Sequence, residues 1–353
     1  MLQPLLSAIA AAVVSLPSPS VGTVVKVSTS PAKLLGQRIM VGFAGTKAPA
    51  PLLAKIRAGQ VGAVILFGAN IGSDRQVRAL TSSLQAAART GGNPPLLIAT
   101  DQEGGQIKRF PNGPPTLSPP EMTATGRPHS AYRQGKITGA YLKSRGINMD
   151  LAPVSDVPTF SGAFIWQQGR AFSFHASTVA KYATAFALGL QSAGVAATAK
   201  HFPGDGSAAV STDLQLDELH PTAAQRAAAL KPYESMIPRG LDSVMVTTAG
   251  FPAYDPTGTP AALSRRIIGR VLRHHLDFSG LVITDALNAP TGHSETTAGV
   301  LAARAGADML LYADSAPGEL GALESALSVG RITHAQAVAA YGRIVALKQK
   351  LAG

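Results

Sequence analysis

The sequence predicts a (β/α)₈ barrel folded as a single domain. Three observations carry that expectation: eight short apolar runs, longer segments of helical spacing between them, and charged or ring side chains directly after several of the runs. The runs are rich in Val, Ile, Leu and Ala and are bounded by Gly, Asp or Pro. That composition suits parallel strands covered on both faces. Strands that alternate with helices imply a parallel sheet, and eight repeats suit closure into a barrel. A doubly wound open sheet is the alternative, because periodicity does not reveal closure. No Gly-x-Gly-x-x-Gly opens the first βα unit, so a dinucleotide-binding sheet loses support.

In chain order the strands are expected at 38–43, 62–67, 95–100, 148–152, 195–200, 243–248, 280–284 and 308–312. Helical spacing falls at 74–88, 131–144, 176–192, 222–237, 264–275 and 295–305. A last Ala-rich amphipathic helix is expected at 334–351, after a turn at Ser328-Val329-Gly330-Arg331. No shift in composition marks a second domain, so the barrel is assigned to residues 28–353. Residues 1–27 stand apart. Their apolar block, 5–16, is too short to span a bilayer and is followed by Pro17-Ser18-Pro19-Ser20. It reads either as the apolar part of an export signal or as an N-terminal extension packed on the domain. A signal would place the protein outside the cell or at its wall, and an extension would leave it cytoplasmic.

Hydrophobic residues make up 46% of the 353 and charged ones 14%, which excludes a disordered chain. The formal net charge is +11, but no basic run or basic-aromatic interleaving occurs, so the charge reads as diffuse and not as a nucleic-acid surface. The absence of cysteine removes disulfides, zinc-thiolate sites and thiol nucleophiles. The eight histidines are scattered, and His274-His275 lies within a helical segment, so no metal site is indicated and no cofactor is expected.

The chemistry concentrates at the ends of the expected strands. The third run ends in Asp101-Gln102-Glu103-Gly104-Gly105, with Lys108-Arg109 soon after. The fourth leads through Ser155-Asp156 to Gly169-Arg170. The fifth delivers Lys200-His201-Phe202-Pro203-Gly204-Asp205-Gly206, the sixth Thr247-Thr248, and the seventh Asp285. Singly, each has a structural explanation: Asp285 can cap the next helix, and Asp101 can pair with Arg109 or Arg170. Together at one barrel mouth they make a polar cluster suited to a ligand dense in hydroxyl groups, with one carboxylate able to attack an anomeric carbon.

Long motifs in a fixed order sharpen this reading. They include Met40-Val41-Gly42-Phe43, Asp101-Gln102-Glu103-Gly104-Gly105, Lys200-His201-Phe202-Pro203-Gly204, Pro260-Ala261-Ala262-Leu263-Ser264 and Ile283-Thr284-Asp285-Ala286-Leu287. From about residue 34 onward the chain resembles glycoside hydrolase family 3, in its single-domain branch of bacterial β-N-acetylglucosaminidases. The resemblance implies a retaining mechanism on a carbohydrate substrate, with Asp285 as nucleophile. It implies that Asp101, Arg109, Arg170, Lys200 and His201 hold the terminal sugar. Lys200 or a nearby Arg is expected to hold the Asp285 pKa down.

The resemblance breaks after Gly204. The branch continues with His-Gly and then an Asp-Ser-His whose last His is the general acid/base. Here Ser211 stands for that Asp and Asp213 for that His. Thr248 lies near the family's usual His after the sixth strand. Asp213 therefore becomes the leading acid/base candidate, ahead of Asp205, Asp217, Glu218, His220 and His293. Other readings remain: a glycosidase confined to good leaving groups or to glycosyl transfer, a β-glucosidase variant, whose branch the Gly204-Asp205-Gly206 form resembles, and a member that binds glycans without efficient turnover.

Overall fold

Eight parallel strands of two to seven residues wind into one sheet whose last strand returns to the first. The computed structural model describes residues 30–352, so both readings of residues 1–27 lie outside the described residues. The strands are β1 Ile39–Val41, β2 Ala63–Leu66, β3 Leu97–Thr100, β4 Met149–Asp150, β5 Ala196–Phe202, β6 Ser243–Val246, β7 Leu281–Thr284 and β8 Leu310–Tyr312. Each pairs with the next in parallel register. β1 pairs with β8 through Ile39 with Leu310, Met40 with Leu311 and Val41 with Tyr312. Closure is completed by a single bridge between Ile283 and Met309. The open-sheet alternative falls.

Side-chain alternation along each strand divides the core in two. Met40, Ile65, Leu97, Ala99, Met149, Leu151, Met245, Ile283 and Leu311 point inward and fill the lumen. Their neighbours Val41, Val64, Ile98, Val244, Val282 and Leu310 point outward and pack under the helices. A barrel strand has apolar neighbours on both sides, which is why the runs are continuously hydrophobic. The helix His334–Ala352 closes the N-terminal mouth, inserting Ile344 and Leu347 into the lumen cluster.

All eight expected strands and the expected helices are present, with ends shifted by a few residues. β5 runs two residues further than expected, to Phe202, so Lys200 and His201 belong to the strand. The segment Arg266–His275 is wound as a π-helix, and His274 and His275 lie on its exposed side. The helices Ala50–Arg57 and Glu319–Ser328 have no sequence prediction behind them, being short and weakly periodic. Among the described residues no helix is long and apolar enough to cross a membrane.

The plug helix carries one buried cation. Lys348 donates to Gln37 Oε1 at 2.6 Å and to the Gly62 carbonyl at 2.8 Å, and burial lowers its pKa to about 7. Because folding lowers this pKa, the folded state opposes protonation, and stability is lost as pH falls from the unfolded value toward 7. Lys348→Met removes that dependence. The change in melting temperature relative to the parent should therefore be more favourable at pH 6 than at pH 9; thermal scans with no difference between the two pH values exclude a depressed Lys348.

Candidate active site

The lumen ends upward in a floor of Ile65, Leu151, Met245 and Leu311, and above it lies a cavity of ≈ 270 Å³. Its polar wall gathers Asp101, Glu103, Arg109, Arg170, Lys200, His201, Asp213 and Asp285. These come from four strand ends or their loops, those of β3, β4, β5 and β7, on the C-terminal face where barrel sites form. Every sugar-site residue expected from the sequence lines this one opening.

Lys200 is the hub. Its Nζ donates to Asp101 Oδ1 at 2.8 Å and lies 2.7 Å from Glu103 Oε1. Arg109 Nη2 reaches Asp101 Oδ2 at 3.1 Å. Arg170 takes Glu103 as a fork, Nε to Oε2 at 2.6 Å and Nη2 to Oε1 at 3.0 Å. Arg170 thus pairs with Glu103 and not with Asp101. Burial pushes Asp101 toward its neutral form, but Lys200 and Arg109 outweigh it and hold the pKa at about 2. Burial likewise disfavours the charged Lys200, and Asp101 with Glu103 reverses that and raises its pKa. The whole set is ionised.

A second cluster sits behind the first. His201 Nδ1 lies 2.7 Å from Asp156 Oδ2. Asp156 Oδ1 also accepts the main-chain N–H of His201 at 3.2 Å and of Asp205 at 2.8 Å. Burial lowers the pKa of His201, but Asp156 prevails and raises it. The imidazole is thereby fixed through one nitrogen, leaving its Nε2 edge beside Arg170 and the cavity.

Sequence reasoning alone does not single out Glu103 or Asp156. Glu103 follows Asp101 by two positions on an extended segment, so both project to the same side. That spacing is the signal that could have found it. Gln102, between them, points away and binds Phe110 N, Phe110 O and Pro114 O, which anchors the loop carrying Arg109. Asp156 lies in a loop, and only the fold brings it to His201.

Asp285 corrects an expectation. Its Oδ1 accepts from Ala286 N at 2.8 Å, and its pKa is raised to about 6. Burial is the main cause and Asp213 the next; Lys200 and His201 pull the other way without prevailing. Lys200 does not hold Asp285 down because two nearer carboxylates already occupy it. Asp213 is exposed on the loop after β5, accepts from Ser211 Oγ at 3.2 Å and faces the same cavity. Asp217, Glu218, His220 and His293 do not line it, and Asp205 is buried behind it.

With this geometry in place, comparison with known proteins is decisive. Residues 33–347 match the glycosyl hydrolase family 3 N terminal domain. The chain belongs to glycosyl hydrolase family 3. It is 34% identical over 336 residues to an uncharacterized secreted glycosyl hydrolase of Arthroderma benhamiae, covering 90% of this chain and 92% of that one. It is 34% identical over 313 residues to a beta-hexosaminidase of Idiomarina loihiensis, covering 85% and 91%. The solved structure of a family 3 β-N-acetylglucosaminidase from Paenibacillus sp. FPU-7 superposes with a TM-score of 0.87 at 35% identity, over 92% of this chain and 63% of that longer one.

In this family 3 barrel the buried pairs support one another, so removing the hub leaves Asp101 and Glu103 facing each other with one arginine apiece. Lys200→Met should lower the unfolding free energy by about 3–5 kcal/mol, as for other buried pairs broken on one side. A urea titration showing a loss below about 1 kcal/mol would contradict this picture of the site.

Proposed function

We propose that this family 3 chain is an exo-acting, retaining β-N-acetylhexosaminidase-like glycosidase. Asp285 is its nucleophile and Asp213 its acid/base. Asp101, Arg109, Arg170, Lys200 and His201, joined by Glu103, hold the hydroxyl groups of the terminal sugar. The observation that carries the reading is that Asp213 faces the same cavity as Asp285 and is the leading charge acting on it. The named β-hexosaminidase relative supports the amino-sugar specificity.

In the first step the Asp285 carboxylate attacks the anomeric carbon, the glycosidic C–O bond breaks, and Asp213 gives its proton to the departing oxygen. In the second, Asp213 takes a proton from water, the water oxygen attacks the same carbon, and Asp285 is released. Asp213 is open to solvent in the free protein, where an aglycone leaving the cavity can meet it. The fixed charges of Asp101, Lys200 and Glu103 need no reorganisation as positive charge develops on the sugar ring. The substrates that fit are terminal N-acetylglucosaminides of cell-wall or chitin type. The net charge of +11 aids encounter with acidic wall polymers. Export of the chain is supported by its similarity to a relative named as secreted.

Turnover of 2,4-dinitrophenyl N-acetyl-β-glucosaminide should be lost in Asp285→Ala; a wild-type chain that binds the sugar but shows no turnover on a panel of activated glycosides is a lectin-like relic instead. Asp213→Ala should slow a poor leaving group by roughly 10²–10⁴-fold and the dinitrophenyl glycoside far less. Equal slowing of both removes Asp213 from the acid role. Because Asp285 acts only when ionised, kcat/KM should rise with pH through about 6. In Asp213→Asn, measured on the dinitrophenyl substrate, that limb should move to lower pH, since a repelling charge is gone. An unmoved limb would show that the two carboxyls do not interact.

A further inference from the structure

The carboxyl of Asp205 is the least explained group near the site. It is 0% exposed, it does not line the cavity, and its Oδ1 has no partner. Its Oδ2 accepts from Thr247 Oγ1 at 2.9 Å and lies 3.5 Å from Thr212 Oγ1. Thr247 follows β6, and Thr212 immediately precedes Asp213. Thr212 is buried, whereas Asp213 beside it is exposed. One side chain therefore spans from the barrel wall to the residue before the proposed acid.

The rest of the loop is held in a matching way. Asp205 N donates to Asp156, the carboxylate that orients His201. At the far end Gly250 N donates to Asp217 O and Leu219 N to Gly250 O, both at 2.8 Å. Between these anchors Leu214 is 75% exposed, and Ser211 Oγ donates to Asp213. The segment is thus tied at both ends and free in the middle, with Asp213 one residue from the inner tie.

We propose that Asp205 is a positioning residue, whose buried carboxyl clamps Thr212 to Thr247 and so sets Asp213 across the cavity from Asp285. This rests on the reading of Asp213 as acid/base. Burial and the neighbouring Asp156 push the Asp205 carboxyl toward its neutral form, and its Oδ2 is the single acceptor that both threonine hydroxyls share. An amide has the same shape and can set its carbonyl oxygen where Oδ2 accepts from both threonines, so Asn at this position preserves the clamp and Ala does not. Anchoring by the preceding residue restricts the backbone of Asp213 while leaving its carboxyl free to give up and regain a proton. A group that must exchange a proton in both steps needs that arrangement.

The test compares kcat/KM on an N-acetyl-β-glucosaminide with a poor aryl leaving group and on the dinitrophenyl glycoside, in Asp205→Asn, Asp205→Ala, Thr212→Val and Asp213→Ala. Thermal unfolding of each variant selects a temperature at which all are folded. Thr212→Val and Asp205→Ala should lower the ratio of the two rates about tenfold or more, with Asp205→Asn near the parent and Thr212→Val/Asp213→Ala no worse than Asp213→Ala alone. A purely structural role would slow both substrates alike. If Asp213→Ala changes the ratio while Thr212→Val and Asp205→Ala do not, the clamp is wrong and the acid assignment stands. If Asp213→Ala itself leaves the ratio unchanged, the acid assignment falls and the clamp falls with it. An Asp205→Asn variant as impaired as Asp205→Ala also overturns the proposal.

Discussion

The site depends on one buried ammonium. Lys200 stands between Asp101 and Glu103, and each of these carboxylates is gripped on its other side by an arginine. None of the central charges is stable alone in a closed barrel top, where an unpaired ion costs several kcal/mol. Paired in a chain, they fix one another's rotamers and present donors and acceptors in one arrangement before any sugar arrives. Such preorganisation is what a polar site needs to act on developing charge without first reorienting water.

That same chain explains the behaviour of Asp285. The cations at the cavity wall are Lys200, Arg109 and Arg170, with the His201 pKa raised by Asp156, and the buried carboxylates beside them include Asp101, Glu103, Asp156 and Asp285. The first three carboxylates have direct ion-pair partners, and Asp285 has only the field that is left over. Burial and Asp213 therefore prevail over attraction, and its pKa rises to about 6 instead of falling. For the nucleophile proposed above, such a setting leaves the carboxyl free of a tight cation, which would blunt its attack.

The loop that follows β5 shows how a family barrel accommodates a changed sequence. The end with Lys200 and His201 is a fully buried strand, whereas residues 205–217 form an irregular strap over the mouth. Asp205 and Thr212 are buried and Asp213 is exposed, so Asp213 is the carboxyl of this strap that faces the cavity.

The barrel was legible because its cause is local. Eight apolar runs bounded by Gly, Asp or Pro can be buried on both faces only in a helix-covered sheet, and the residues after each run had to meet at one end. Asp101, Arg109, Arg170, Lys200 and His201 could be assigned from their places at strand ends and from the family motifs. The pairing among them could not. Whether Arg170 takes Asp101 or Glu103, and whether Asp156 reaches His201, depends on side-chain reach between segments as far as 67 residues apart. The pKa of Asp285 is set first by burial and then by Asp213, His201 and Lys200 together. Residue type and order therefore determined the fold, the family and most of the side chains that meet at the barrel mouth. Only the tertiary structure decided who neutralises whom, because that choice is made by distances no periodicity encodes.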